Sequence, residues 1–77
     1  VLGMVGMENE RILVRIPRNA NEELIVKIGN YWKIDVVDIR WNSNGNPTKK
    51  GVRVNMEEAK ILYDSLDTIF GGNHEFE

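Results

Sequence analysis

No cysteine occurs in these 77 residues, and there is one histidine, His74, and only two prolines, Pro17 and Pro47. Without thiols neither a disulfide framework nor a thiolate metal site can form, and a reducing compartment is the natural setting. A lone histidine leaves a zinc centre, a Cys-His pair or a Ser-His relay without its parts. No enzyme, metal site or cofactor is therefore expected. Long apolar runs are missing as well. The opening VLGMVGM is shorter than the apolar region of a signal peptide and has no basic leader, and nothing approaches the ~20 apolar residues of a membrane span. The expectation is a soluble intracellular protein with no membrane partner. Length is limiting too, because a chain this small is one domain that buries only about 60% of its unfolded surface, so a partner subunit would help it.

What is present is a charge split hidden by the formal net charge of -2. Residues 11 to 53 carry nine Lys or Arg against four acids, a net of +5, whereas residues 54 to 77 carry Lys60 alone against six acids, a net of −5. A basic body joined to an acidic end suits a polyanion on one side of the molecule, since local potential rather than net charge governs binding. The alternative is that these cations are ordinary solvated strand faces.

In chain order, residues 1–10 read as a flexible leader and Arg11 to Pro17 as a half-buried strand with Ile12, Val14 and Ile16 on one face. RNANE is a polar turn. Glu23 to Ile28 is a second strand with Leu24, Val26 and Ile28 inward and Ile25 and Lys27 outward. Gly29-Asn30 suits a two-residue hairpin turn, since glycine at its first central position permits positive φ. The third strand, Tyr31 to Trp41, has inconsistent apolar parity, with Ile34 and Val36 on one face and Val37 and Ile39 on the other. Either a bulge near Asp35 to Val37 reconciles them, or both faces are partly covered. SNGNP is a turn signal, and Thr48 to Asn55 returns as a fourth strand whose Val52 and Val54 face the core and Arg53 the other side.

Asn55 and Glu58 have capping-box spacing, so a helix should begin at Met56. At about 100° per residue, Met56, Ala59, Leu62, Tyr63, Leu66, Ile69 and Phe70 fall within an arc of roughly 140°, with Ile61 outside it. Gly71-Gly72 should stop the helix, and residues 71–77 form an acidic tail for which disorder without a role is the simplest reading. The fold expected is α+β, ββββα: a four-stranded antiparallel curved sheet with one C-terminal helix on its inner face. There is one domain, residues 11–70, and no internal repeat.

The sequence DIRW followed by TKKGVRVNMEEA resembles the positive cofactor four family of transcriptional coactivators, over roughly Arg11 to Phe70. The resemblance implies the same ββββα order, homodimerisation through helix and sheet together, and single-stranded DNA as ligand. Arg40 matches the arginine of DIR, Lys49 and Lys50 match the basic pair before the glycine, and Trp41 approximates the aromatic after DIR with an offset of a few positions. Arg53 stands where the eukaryotic coactivator has a serine. The connection between the third and fourth strands is shorter than the family's, and the eukaryotic members' serine-rich arm has no counterpart in the ten residues before the first strand. The chain looks like the stand-alone form of bacteria and phages. That implies the cytoplasm of a bacterium or infected host, or the nucleus in a eukaryote, and work in transcription, replication, recombination or repair with proteins of those pathways as partners.

The residues expected to bind single-stranded DNA are Arg15, Lys27, Tyr31, Trp32, Lys33, Arg40, Trp41, Lys49, Lys50 and Arg53. Cations follow phosphates, while aromatic rings stack on bases that a duplex hides, at about 1–3 kcal/mol per base. Simple alternation places Arg15, Lys27, Arg40 and Arg53 on one face, with the contact centred near the turn between the third and fourth strands. Asp35 and Asp38 differ in parity, so they suit ion pairs with neighbouring cations better than shared acid-base or two-metal work. A homodimer is expected through Leu62, Leu66, Ile69 and Phe70. The competing readings are a protein-interaction or structural module, and an RNA-binding module using the same basic face.

Overall fold

A computed structural model describes residues 6–71. The described chain is a four-stranded antiparallel meander, β1 (Glu8–Pro17), β2 (Glu22–Tyr31), β3 (Ile34–Ser43) and β4 (Asn46–Asn55), followed by α1 (Met56–Ile69). Sheet order is β1-β2-β3-β4, an open sheet in which every connection is between neighbours. The expected element order and types hold. No helix among the described residues is long and apolar enough to cross a membrane.

Strand boundaries and registers differ from expectation in several places. β1 opens at Glu8, within the stretch expected to be leader, and two register shifts against β2 distort it. The first contains Asn9 at φ 55. In the second, Leu13 is extra between the pairs Ile12↔Lys27 and Val14↔Val26, a β-bulge that reverses the alternation. Ile12 therefore shares a face with Lys27 and Arg15, not with Val14 and Ile16 as simple parity predicts.

The β2–β3 turn is Trp32-Lys33, not Gly29-Asn30. Both turn residues have positive φ, 54 and 68, the backbone of a type I′ hairpin. Gly29 serves a different purpose inside β2, opposite Val36. A Cβ there would lie 2.9 Å from the Glu8 carbonyl oxygen and 3.0 Å from Met7 Cε, so its small size lets the start of β1 approach.

β3 itself carries no bulge near Asp35 to Val37, since its pairing with β2 runs unbroken from Tyr31↔Ile34 to Glu22↔Ser43. The irregularity lies at the other end. Between Arg40↔Gly51 and Asn42↔Pro47, Trp41 of β3 faces Thr48, Lys49 and Lys50 of β4. Thr48 stitches this segment by donating its hydroxyl to the Trp41 carbonyl at 2.7 Å and accepting from the Lys50 N–H at 3.1 Å. Asn44-Gly45, φ 52 and 84, makes the expected β3–β4 turn.

The registers define two faces. On the apolar face lie Val14 and Ile16, Leu24, Val26 and Ile28, Val37, Ile39 and Trp41, and Val52 and Val54. The opposite, charged face carries Arg15, Lys27, Asp38, Arg40 and Arg53 with Ile25 and Val36 among them. Burial inverts the expectation. Among the described residues Ile25 and Val36, at 3% and 6% exposure, are the buried large apolar side chains, and both lie on the charged face. Val52, expected to face a core, is 51% exposed.

The helix explains the inversion. Its start is as expected: Asn55 Oδ1 accepts from the Glu58 N–H, and Glu58 Oε1 accepts from the Asn55 N–H, both at 2.8 Å. Gly71 follows at φ 73, the left-handed stop a helix C-terminus favours. Yet α1 touches chiefly β3 and β4 and has no buried residue, so it does not lie over an inner sheet face as anticipated. Gly72 and the tail lie outside the described residues, as do residues 1–5.

Gly51, beside Arg40, admits no side chain. A Cβ would run into the Ile39 carbonyl oxygen and come within 2.7 Å of Arg40 Cα. Gly51→Ala is expected to destabilise the fold by about 1–3 kcal/mol, since backbone must move to accept it. Chemical denaturation checks this, and an unchanged midpoint would contradict it.

Candidate nucleic-acid interface

The charged face is built from register. Arg15 pairs across to Ile25 and on to Arg40, while Lys27 pairs to Asp38 and on to Arg53. These two rows bring all four cations to one side of the sheet, the placement that alternation predicted. Despite the Leu13 bulge, Arg15 keeps its side because the bulge precedes it.

Electrostatically this face is quieter than a charge count suggests. Arg15 Nη1 is 2.8 Å from Glu23 Oε2, and Lys27 Nζ is 3.1 Å from Glu10 Oε1. Asp38, 2% exposed, lies between two guanidiniums. Arg40 Nη2 is 3.0 Å and Arg53 Nε 3.3 Å from Asp38 Oδ1, and Arg40 Nη1 also donates to the Thr48 carbonyl at 2.9 Å. Three acids therefore answer four cations, and the face keeps a modest excess of positive charge. Asp35, on the other face, accepts from Asn30 instead. The two acids do not meet, and Asp38 is the ion-pair partner that its sequence neighbours suggested.

The cations of the expected site that stay unpaired lie toward the ends of the sheet. Among the described residues Lys33, Lys49 and Lys50 take part in no ion pair. Lys33 is in the β2–β3 turn, and Lys49 and Lys50 are in the irregular segment of β4 toward the opposite end of the sheet.

The aromatics divide. Tyr31, on the charged face, meets Trp32 edge to face with ring centroids 6.1 Å apart and planes at 78°. The Arg53 guanidinium lies 5.3 Å from the Tyr31 ring centroid, within cation–π range, and Trp32 is 79% exposed. Trp41 does not join them. Its register places it on the apolar face opposite Leu24, where the Arg18 guanidinium covers its ring at 3.8 Å. Of the ten expected binding residues, Tyr31, Trp32 and Lys33 cluster with Arg53 at the β2–β3 end. The aromatic platform is thus at the opposite end from the β3–β4 turn, where the contact was expected.

Trp32 and Lys33 hold φ values that bulky L-residues rarely adopt. Strain of this kind is retained where surrounding structure enforces it and is concentrated at functional positions. Two residues here had no sequence signal. Arg18 lays its charged guanidinium over the Trp41 ring beside Glu22, and Asn42, 7% exposed on the charged face, has a buried Oδ1 without a partner among the described residues. No protein-family model matches this chain, and neither curated proteins nor solved structures give a significant match.

Proposed function

We propose that the charged face binds single-stranded DNA without sequence preference, in a homodimer, as the resemblance to the positive cofactor four family implies. The observation that carries this reading is the junction of same-face cations with an exposed aromatic pair. Arg53 adjoins Tyr31, Tyr31 meets Trp32, and Lys33 follows in the same strained turn. Phosphates take the cations and unpaired bases take the ring faces. A duplex offers its phosphates but not its base faces. The cellular setting is DNA that is transiently single-stranded, in transcription, replication, recombination or repair.

Titrating the chain with labelled oligo-dT, with a duplex of equal length and with oligo-U tests the reading. Tighter binding to oligo-dT than to duplex, falling steeply with salt, is the expected result. Equal affinity for duplex and single strand would leave only a generic basic surface, and tighter binding to oligo-U would make RNA the ligand.

The dimer is supported by what the single chain leaves uncovered. Leu62, Leu66, Ile69 and Phe70 are 40%, 56%, 69% and 80% exposed, and Val14, Ile16 and Val52 on the sheet are between 43% and 51%. An isolated 77-residue chain with so little buried apolar surface falls short of what stability requires. A second copy brings an identical apolar helix and sheet face, and a twofold arrangement covers both at once. Sedimentation at micromolar concentration should give a dimer. Leu66→Asp should dissociate or unfold it, and a folded wild-type monomer near 9 kDa would end the proposal.

A further inference from the structure

We infer that Asp38 is a positioning residue for a nucleotide-sized subsite formed by Arg53, Tyr31 and Trp32, and that Arg40 belongs to the support of this subsite rather than to its contact surface. The inference rests on the single-strand reading of the charged face. Its geometry begins with how differently the two arginines use one carboxylate. Arg40 turns inward: Nε is 3.1 Å from Asp38 Oδ2, Nη2 is 3.0 Å from Oδ1, and Nη1 is 2.9 Å from the Thr48 carbonyl oxygen. Its side chain is only 11% exposed. All three nitrogens are engaged with protein, and in a side chain this buried the two remaining N–H groups offer a phosphate little access.

Arg53 is held by one point only. Its Nε donates to Asp38 Oδ1 at 3.3 Å, and among the described residues its two terminal nitrogens have no hydrogen-bond partner. These form the edge of the guanidinium that matches a phosphate with two parallel donors. One buried acid between two guanidiniums also leaves a unit of positive charge at the subsite. Asp38 thus fixes the inner edge of Arg53, and the neighbouring Tyr31 ring, 5.3 Å away, marks where the base attached to that phosphate would lie. The edge-to-face partner Trp32 extends the platform outward. The ligand class is one phosphate and its unpaired base within a single strand.

The two charges of Asp38 and Arg53 make the test sensitive to sign. Asp38→Asn removes a negative charge from the binding face, so a purely electrostatic surface would bind more tightly. The positioning role predicts about tenfold weaker binding to labelled oligo-dT, followed by fluorescence anisotropy of the full chain across a salt series. Arg53→Lys keeps the charge but loses the fork. It should also bind about tenfold more weakly, with an unchanged salt slope, whereas Arg53→Ala should lower the slope by roughly 0.7, one phosphate's worth.

Circular dichroism establishes that each variant is folded, and if Asp38→Asn does not fold, Arg53→Lys decides. Asp38→Asn binding as tightly as wild type or more so, or Arg53→Lys binding like wild type, overturns the positioning role. In nitrogen-15 spectra without DNA, the Arg53 Nε–H should exchange slowly in wild type and rapidly in Asp38→Asn. That readout separates the two failures: wild type that does not bind oligo-dT removes the single-strand reading, while an Arg53 Nε–H that already exchanges freely in wild type removes the positioning.

Discussion

Asp38→Ala is expected to destabilise the fold by about 3–5 kcal/mol, the cost of leaving buried charge without its partner. The carboxylate is 2% exposed, and the two guanidiniums it joins have side chains only 11% and 21% exposed. Truncation leaves two cations facing each other with no anion between them, and Arg40 still tied to Thr48. Removing the charges together should be far milder. A triple variant, Asp38→Ala with Arg40→Met and Arg53→Met, should recover much of the loss, because well-packed apolar groups replace a desolvated ion cluster at little cost. Urea denaturation of all variants at one fixed protein concentration measures this, a precaution required if stability is coupled to assembly. A loss under about 1 kcal/mol for Asp38→Ala would mean that water reaches the arginines and that the cluster is not structural.

The second large effect separates the two tryptophans. Trp32→Asn should weaken oligo-dT binding by about 1–3 kcal/mol, roughly 5- to 150-fold, while leaving duplex binding nearly unchanged. It should leave stability unchanged or slightly raised. Trp32 is 79% exposed and sits at φ 54, and asparagine is among the residues that tolerate this backbone best. Trp41→Ala should behave in the opposite way. It removes a half-buried ring covered by Arg18 on the apolar face, so about 2 kcal/mol of stability should go with little direct effect on single-strand affinity. A Trp32 variant that is folded and binds normally, or a Trp41 variant that is stable and binds poorly, would reverse the assignment of faces.

The contrast between these residues shows where sequence reasoning reached its limit. Asn55 and Glu58 announced the helix start because a capping box is a local device, complete within four residues. Asn44-Gly45 announced its turn for the same reason. Arg15, Lys27, Arg40 and Arg53 could be assigned to one face because strand alternation is also local. Ile12 was misassigned because the Leu13 bulge arises only from pairing with β2. Gly29 carries turn chemistry that is used for the close approach of Glu8, while the turn falls on Trp32 and Lys33, which advertise nothing of the kind.

The sequence by itself determined the element order, the basic body with its acidic end, and the segregation of four cations to one side of the sheet, since each follows from composition or from short-range geometry. Only the tertiary structure decided which of those cations are already answered by Glu10, Glu23 and Asp38, that Ile12 lies on the cations' side of the sheet, and that the helix leaves the apolar face open. The physical reason is common to all three. Ion pairing, face membership past a bulge and burial depend on which strands lie side by side, and that information is absent from any window of a few residues.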